Sequence, residues 1–444
     1  MPEAGKDTVG KGPASAARPA PLPFDEALAR LLQHAQPLDG TETVATLEAA
    51  QRVLAQTVVS PLSVPAWDNS QMDGYAVRCS ELATLDPDGS TPVLRVSQRI
   101  VAGRQGTPLE PGTVARIFTG AAIPAGADAV VMQEQATLVD AGSGDAGTQQ
   151  VRFSHRPQPG EWIRREGEDI RAGATVLQPG TRLTPQAIGL AASVGAATLE
   201  VYRPLKVACF FTGDELVMPG QPLPPGSIYN SNRFLLTGLL RRLGCEVMDL
   251  GIIGDSLAAT RQALRQAAAQ ADLIVTSGGM SVGEEDHVKP AVEAEGELDM
   301  WQIAIKPGKP LAYGRTRRVT AGPAGGEPAR TAHFIGLPGN PVSSFVTFLL
   351  FVRPFILTLQ GARQVSPARL RLTAGFDWPR PDRRREFLRV WVDPKSGLLQ
   401  LFHNQGSAVL TSTVAGDGLL DNPGGQAIRQ GDVVTYLPFS DLLN

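Results

Sequence analysis

The chain has 444 residues, with 41 Lys and Arg against 44 Asp and Glu and a formal net charge of −3, which excludes a generally basic nucleic-acid binder. Its 47 glycines and 36 prolines show no G-X-Y period, which excludes collagen, and 42% hydrophobic residues are too many for a disordered chain. At ~100–200 residues per domain the length allows roughly two to four domains.

In chain order, Met1 to Pro23 is small, polar and proline-rich, and reads as a disordered lead. Phe24 to Gln33 places Phe24, Leu28, Leu31 and Leu32 on one helical face, and Thr46 to Leu54 predicts a second short helix. From Val58 to Val201 short apolar runs alternate with Gly/Pro turns (YAVR, PVLRVSQRIV, VARIFTG, ADAVVMQE, QQVRFS, ATVLQPGTRL), which predicts β-rich structure. Thr184, followed by a proline, opens a helix to Val194. After Lys206 the pattern changes. Strands KVACFF, CEVMDLGII and DLIVTSGG alternate with helices Ser231–Leu243 and Ser256–Ala271, and a helix lies near His287 to Ala294. Strands MWQIAI, PLAYG and HFIGLPG follow, with Arg317 to Thr331 as a loop insertion, then a long helix from Val342. This alternation predicts a parallel, doubly wound sheet with ligands at the carboxyl ends of its strands. After Gly361 the chain reads all-β (LRLTAGF, EFLRVWVD, LLQLF, GDVVTYLPF), a small sandwich or barrel.

No uncharged apolar run reaches the ~18 residues of a membrane span. The nearest, Val342 to Leu359, is broken at Arg353-Pro354, and the N-terminus has no secretory apolar segment. Cys79, Cys209 and Cys245 form neither a CxxC pair nor a disulfide framework. A cytoplasmic protein without membrane segment or zinc site is expected.

The strand ends carry the chemistry. In TSGGMSVGEEDHVK the bare amides of Gly278 and Gly279 can converge on an anion, and Glu284, Glu285 and Asp286 can hold a divalent cation beside it; a tight loop with an acidic helix start is the plainer alternative. The same loop matches G-x-S-x-G at Ser281, the nucleophile elbow of a serine hydrolase, but the acids after Gly283 would repel an oxyanion. IAIKPGKPLAYG presents Lys306 and Lys309 on a proline-stiffened turn suited to phosphate or another oxyanion, though not a P-loop; an exposed lysine turn is equally compatible. GLPGNPVSS sets Pro338, Asn340, Pro341 and Ser343 at a helix start, an anion site or ordinary capping. Asp214 and Glu215 in FFTGDEL, and Asp255 after GIIG, follow strands; neighbouring carboxylates there can share Mg²⁺ or orient water, and each alone is also a helix cap. Finally, DNSQMDGYAVR packs polar residues, Asp73 among them, ahead of a strand.

Taken in order, DNSQMDGYAVR, IFTGAAIPAGADAVVMQE, FFTGDEL, TSGGMSVGEEDHVK, AIKPGKPLAYG and GLPGNPVS resemble the MoeA/gephyrin E-domain family of molybdopterin molybdenumtransferases, over about Phe24 to Phe439. The resemblance implies an α/β plus β multi-domain fold: a lead at 1–23, a linker and dimerisation domain from 24–65 and 160–203, and a β-rich domain at 66–159. A doubly wound, MogA-like molybdopterin-binding domain at 204–361 and a C-terminal β-barrel-like domain at 362–444 complete it. It implies insertion of molybdate into adenylylated molybdopterin with release of AMP, Mg²⁺ dependence, a homodimer, and docking of other molybdenum-cofactor biosynthesis proteins. Gly278, Gly279, Ser281 and Asp286 would then hold the pterin nucleotide and its metal, and Asp214, Glu215 and Asp255 would add acidic groups. Lys306 and Lys309 would neutralise oxyanions, Pro338, Asn340, Pro341 and Ser343 would shape the rim, and Asp73 and Thr119 would face the cleft from a partner subunit. Two positions depart from the family pattern: Asn230 stands where Asp is usual, and Gln302 where Lys is common. A noncatalytic pterin-binding scaffold is the alternative.

Overall fold

The computed structural model describes residues 20–84, 86, 91–139, 149–279, 287–317 and 331–443, and only the backbone of Met300 and Trp301. These residues fall into two compact units, 43–50 with 54–201, and the remainder.

Helix α1, Phe24–Gln33, opens the second unit and buries Phe24, Ala27 and Leu31. Ahead of it Leu22, assigned to the lead by composition, is already ordered: its N–H donates to Gln302 O and its carbonyl accepts from Ala304 N. In the first unit the expected helix over Thr46–Leu54 is absent. One 3₁₀ turn, Thr46–Glu48, forms, and Leu54 is extended against Val201. Gln51, at φ 64°, sits in the left-handed region that ends a helix.

The first unit is built on a six-stranded sheet of β1 (Gly74–Val77), β2 (Leu94–Ile100), β3 (Thr113–Ile117), β4 (Ala129–Met132), β5 (Ala136–Val139) and β6 (Gln150–Phe153), in the order 4-1-3-2-6-5. Side-chain alternation sends Tyr75, Val77, Val114 and Val131 to one face and Ala76, Ala115, Ile117 and Val130 to the other, and both faces are covered. Helix α2 (Pro185–Ser193) starts as expected, with Thr184 Oγ1 accepting from Ala187 N.

The second unit centres on β7 (Lys206–Thr212), α3 (Ser231–Arg242), β8 (Glu246–Ile253), α4 (Leu257–Gln270), β9 (Leu273–Ser277), α5 (Val288–Glu295), β10 (Gly296–Gln302), β11 (Pro310–Arg317), β12 (Thr331–Leu337) and α6 (Pro341–Leu359). The sheet order is 8-7-9-12-11-10. Strands β8, β7, β9 and β12 are parallel, whereas β11 is reversed and pairs antiparallel with both β12 and β10. The expectation of a wholly parallel sheet is thus corrected at one side. No crossover helix separates β10, β11 and β12 among the described residues, and strands without a crossover pair antiparallel.

Helix α6 passes through Arg353-Pro354 instead of breaking there, because a π turn at Phe348–Val352 absorbs the proline. With a mean hydropathy of 1.9 it is long and apolar enough to cross a bilayer, but 94% of it is buried inside the protein. Arg353, itself buried, donates to the carbonyls of Val365 (3.0 Å) and Asp441 (3.1 Å).

The C-terminal sheet pairs β13 (Leu370–Thr373), β14 (Arg385–Val392), β15 (Gly418–Asn422) and β16 (Val433–Pro438) in the order 14-15-16-13. Its edge beyond β14 is a two-residue strand from the other layer, Ile305–Lys306, which lies parallel to Arg385–Glu386. The lysine loop is therefore stitched to the C-terminal sheet.

Candidate active site

The carboxyl ends of β7, β9 and β12 open into one cleft of about 640 Å³. Its floor is built from tight turns. Gly278 (φ 98°) follows β9 directly, and a Cβ there would stand 2.6 Å from Thr212 O. At Gly279 (φ 61°) a Cβ would stand 2.5 Å from Val288 Cγ2. Only glycine fits either place. Gly213 (φ 142°) is likewise in glycine's region, although the Glu215 carboxyl beside it ends an exposed side chain that could move aside.

Hydroxyls and an amide lock the neighbouring loops together. Asn232 Nδ2, on the first turn of α3, donates to Ser277 Oγ (2.8 Å) and Gly339 O (2.7 Å), and Ser277 Oγ donates to Pro338 O (2.8 Å). Ser344 also donates to Pro338 O. The start of α6 is thus fixed against the end of β9, and its first turn, where Val342 N donates to Ser407 O (3.0 Å) and Ser344 N to Asn340 O (2.9 Å), borders the cleft through Asn340 and Ser343. Asn230 caps α3 by accepting from Arg233 N (3.1 Å), a task Asp and Asn perform equally, so its departure from the family pattern leaves the local fold intact.

The expected residues are distributed as follows. Glu215, Asp255, Gly278, Gly279, Lys306, Lys309, Pro338, Asn340 and Ser343 line the cleft; Pro341, again with Asn340, lines an adjoining cavity of about 510 Å³. Asp214 is exposed and lines neither. Ser281, Glu284, Glu285 and Asp286 lie outside the described residues. Asp73 and Thr119 belong to the first unit, where Asp73 Oδ1 accepts from Thr119 N and Oγ1, both at 2.8 Å. The bond from the Thr119 amide holds the Asp73 carboxyl below the usual range. Among the described residues no three His, Cys, Asp or Glu side chains cluster as a metal site.

The C-terminal sheet adds residues that the motifs did not indicate. Arg384, Gln405, Gly406 and Ser407 line the same cleft. Lys306 Nζ lies 3.3 Å from Glu386 Oε1 and 3.6 Å from Asp382 Oδ2, so this lysine is already paired. Arg384 grips Asp382 through Nε (3.0 Å) and Nη2 (2.9 Å). Lys309 is exposed and has no ion-pair partner among the described residues. Beneath the loop, buried Arg389 donates to Ser412 Oγ (3.1 Å), Phe387 O and Gly406 O (both 3.2 Å), and burial pushes its pKa down to about 10. It stays cationic at neutral pH, held by neutral acceptors. A run of charge, RPDRRREF, was the only sequence signal for this group.

Hydrogen bonds from Arg384 hold Asp382 well below the usual carboxylate range. Because its folded pKa is depressed, the pair contributes fully above ~pH 4 and is lost only as the pH falls through the lower folded value. Thermal melts should therefore separate wild type from Asp382→Asn at pH 5 to 7, with the gap closing towards pH 2.

Three family models cover most of the chain: the MoeA N-terminal region (domain I and II) matches residues 22–195, a probable molybdopterin binding domain matches 208–358, and the MoeA C-terminal region (domain IV) matches 371–439. The chain belongs to the MoeA family. It is 40% identical to the molybdopterin molybdenumtransferase of Haemophilus influenzae, over 95% of this chain and 100% of that one. It is 38% identical to molybdopterin molybdenumtransferase 2 of Mycobacterium tuberculosis, over 86% of this chain and 90% of the other. A crystal structure of a molybdopterin biosynthesis MoeA protein from Pyrococcus horikoshii superposes with a TM-score of 0.77 at 26% identity, covering 94% of this chain and all of that one. The order of MoeA regions agrees with the order of sheets described above.

Proposed function

We propose that this MoeA protein, a transferase of molybdenum-cofactor biosynthesis, inserts molybdate into adenylylated molybdopterin and releases AMP. One observation carries the reading: amide-lined loops, a helix start, Lys306, Lys309, Glu215 and Asp255 all open into a single cleft. Molybdate and the substrate's phosphates are anions, and bringing them together requires preorganised donors and cations. The glycine turn after β9, with Asn340 and Ser343 at the start of α6, would hold the nucleotide phosphates, and the lysine side would receive molybdate.

Glu215 and Asp255 fit a Mg²⁺ ion, which takes one or two carboxylates and completes its shell with water and substrate oxygens. When bound, the ion would neutralise charge building on the phosphate linkage. Asp286 and Ser281 keep the roles the family resemblance gives them, in the loop after Gly279. Asp73 and Thr119 would complete the cleft from the second subunit of a homodimer, in the cytoplasm.

Purified protein given adenylylated molybdopterin, Mg²⁺ and molybdate should release AMP in step with molybdenum incorporation. Nucleotide binding without AMP release would instead assign the chain to a noncatalytic scaffold.

A further inference from the structure

We infer that Lys306 carries its own counter-ions, Glu386 and Asp382, and that an oxyanion enters the cleft by exchanging with them. The inference rests on the proposed function only for which oxyanion is used.

Glu386 is completely buried. Its Oε2 accepts from Trp378 Nε1 (2.8 Å) and from Asn422 Nδ2 (3.4 Å), while Oε1 faces Lys306 Nζ at 3.3 Å. Lys306 is its one ion-pair partner among the described residues. The neighbouring Arg385 turns instead to Asp421 and Asp25, and Arg384 to Asp382. Strand pairing fixes the contact, because Lys306 and Glu386 are registered opposite each other in adjacent strands. The lysine side chain is still 39% exposed and lines the cleft, so it can be reached from solvent.

A buried carboxylate without a cation is costly, and it is not free to leave. Lys306 thus occupies a position between a fixed internal anion and the open cleft. An arriving oxyanion must compete with Glu386 and Asp382 for the same ammonium, whereas Lys309 has no such partner among the described residues. A weakly charged anion gains little from this exchange. A tetrahedral dianion able to touch Lys306 and Lys309 together gains from both. Glu386 therefore acts as a positioning residue that lowers the resting affinity of the cleft for anions and favours tetrahedral dianions, molybdate and sulfate alike, over singly charged ones.

The test is calorimetric titration of molybdate, and separately of sulfate, into the full chain at low salt. In Glu386→Gln, the side-chain oxygen can still accept from Trp378 while its amide no longer attracts Lys306. This variant should bind molybdate about tenfold tighter than wild type and sulfate tighter by at least as much, with a lower KM for molybdate and a lower kcat. Asp382→Asn, at a more accessible position, should shift binding in the same direction by a smaller factor. Thermal melts establish that each variant is folded. If both folded variants bind molybdate with unchanged or weaker affinity, the counter-ion exchange is overturned. If wild type neither binds molybdate nor releases AMP, the proposed reaction fails instead, and tighter sulfate binding by the variants alone would still uphold the exchange.

Discussion

Replacing Lys306 with methionine should lower stability by about 3 kcal/mol and reduce molybdenum insertion by more than a hundredfold. The stability loss comes from what remains behind: a fully buried Glu386 with Trp378 and Asn422 as donors but no cation. Stripping one partner from a buried pair costs ~3–5 kcal/mol, and the partial exposure of the lysine side chain places this case at the low end. Urea unfolding would measure the loss. The double variant Lys306→Met/Glu386→Gln separates the two roles of the lysine: it should recover most of the stability and none of the activity. If the single variant is as stable as wild type, Glu386 does not depend on Lys306.

The second large effect is expected at Gly278, where alanine should cost about 2–4 kcal/mol and abolish turnover. Its φ of 98° imposes a penalty of ~1–3 kcal/mol on any side chain, and the new Cβ would collide with the Thr212 carbonyl at 2.6 Å. Because both residues are backbone at the cleft floor, relief must come from moving the turn itself. Gly173→Ala is the matched control: φ is 84° but nothing lies within 4 Å of a Cβ, so only the conformational penalty of ~1–2 kcal/mol should appear. Equal losses in the two variants would mean that crowding against Thr212 contributes nothing.

Much of this architecture is legible in the chain because the signals are local. The apolar face of Phe24–Gln33, the Thr184 and Ser256 caps, and the apolar strands ending in TSGG and GLPG each depend on residues within a few positions. The misreadings arise where distant partners decide. GLLDN is a fully buried central strand whose ends, Gly, Asp and Asn, resemble turn residues until Arg385, Glu386 and Gln426 are placed around it. The acid opposite Lys306 is 80 residues away and was invisible for the same reason: a two-residue strand crossing between sheets sets its register. The motifs therefore revealed Lys306 and Lys309 at the cleft, but neither that Arg384 joins them nor that Lys306 is already paired.

The bond between Arg353 and the Asp441 carbonyl has a consequence for how the protein is made. Its acceptor is synthesised 88 residues after its donor. At ~5–20 residues per second that is roughly 4–18 seconds of translation. For that interval helix α6, with a mean hydropathy of 1.9, exists without the residues around Asp441 that help to cover it. Ala368 N and Arg242 Nε likewise wait for acceptors at Asp441 and Leu443. The central layer can thus form its sheet early but seals only when Asp441 and Leu443 arrive. Nascent chains arrested before Asp441 are the stage at which chaperones, or insertion machinery that reads apolar helices, would find this segment uncovered.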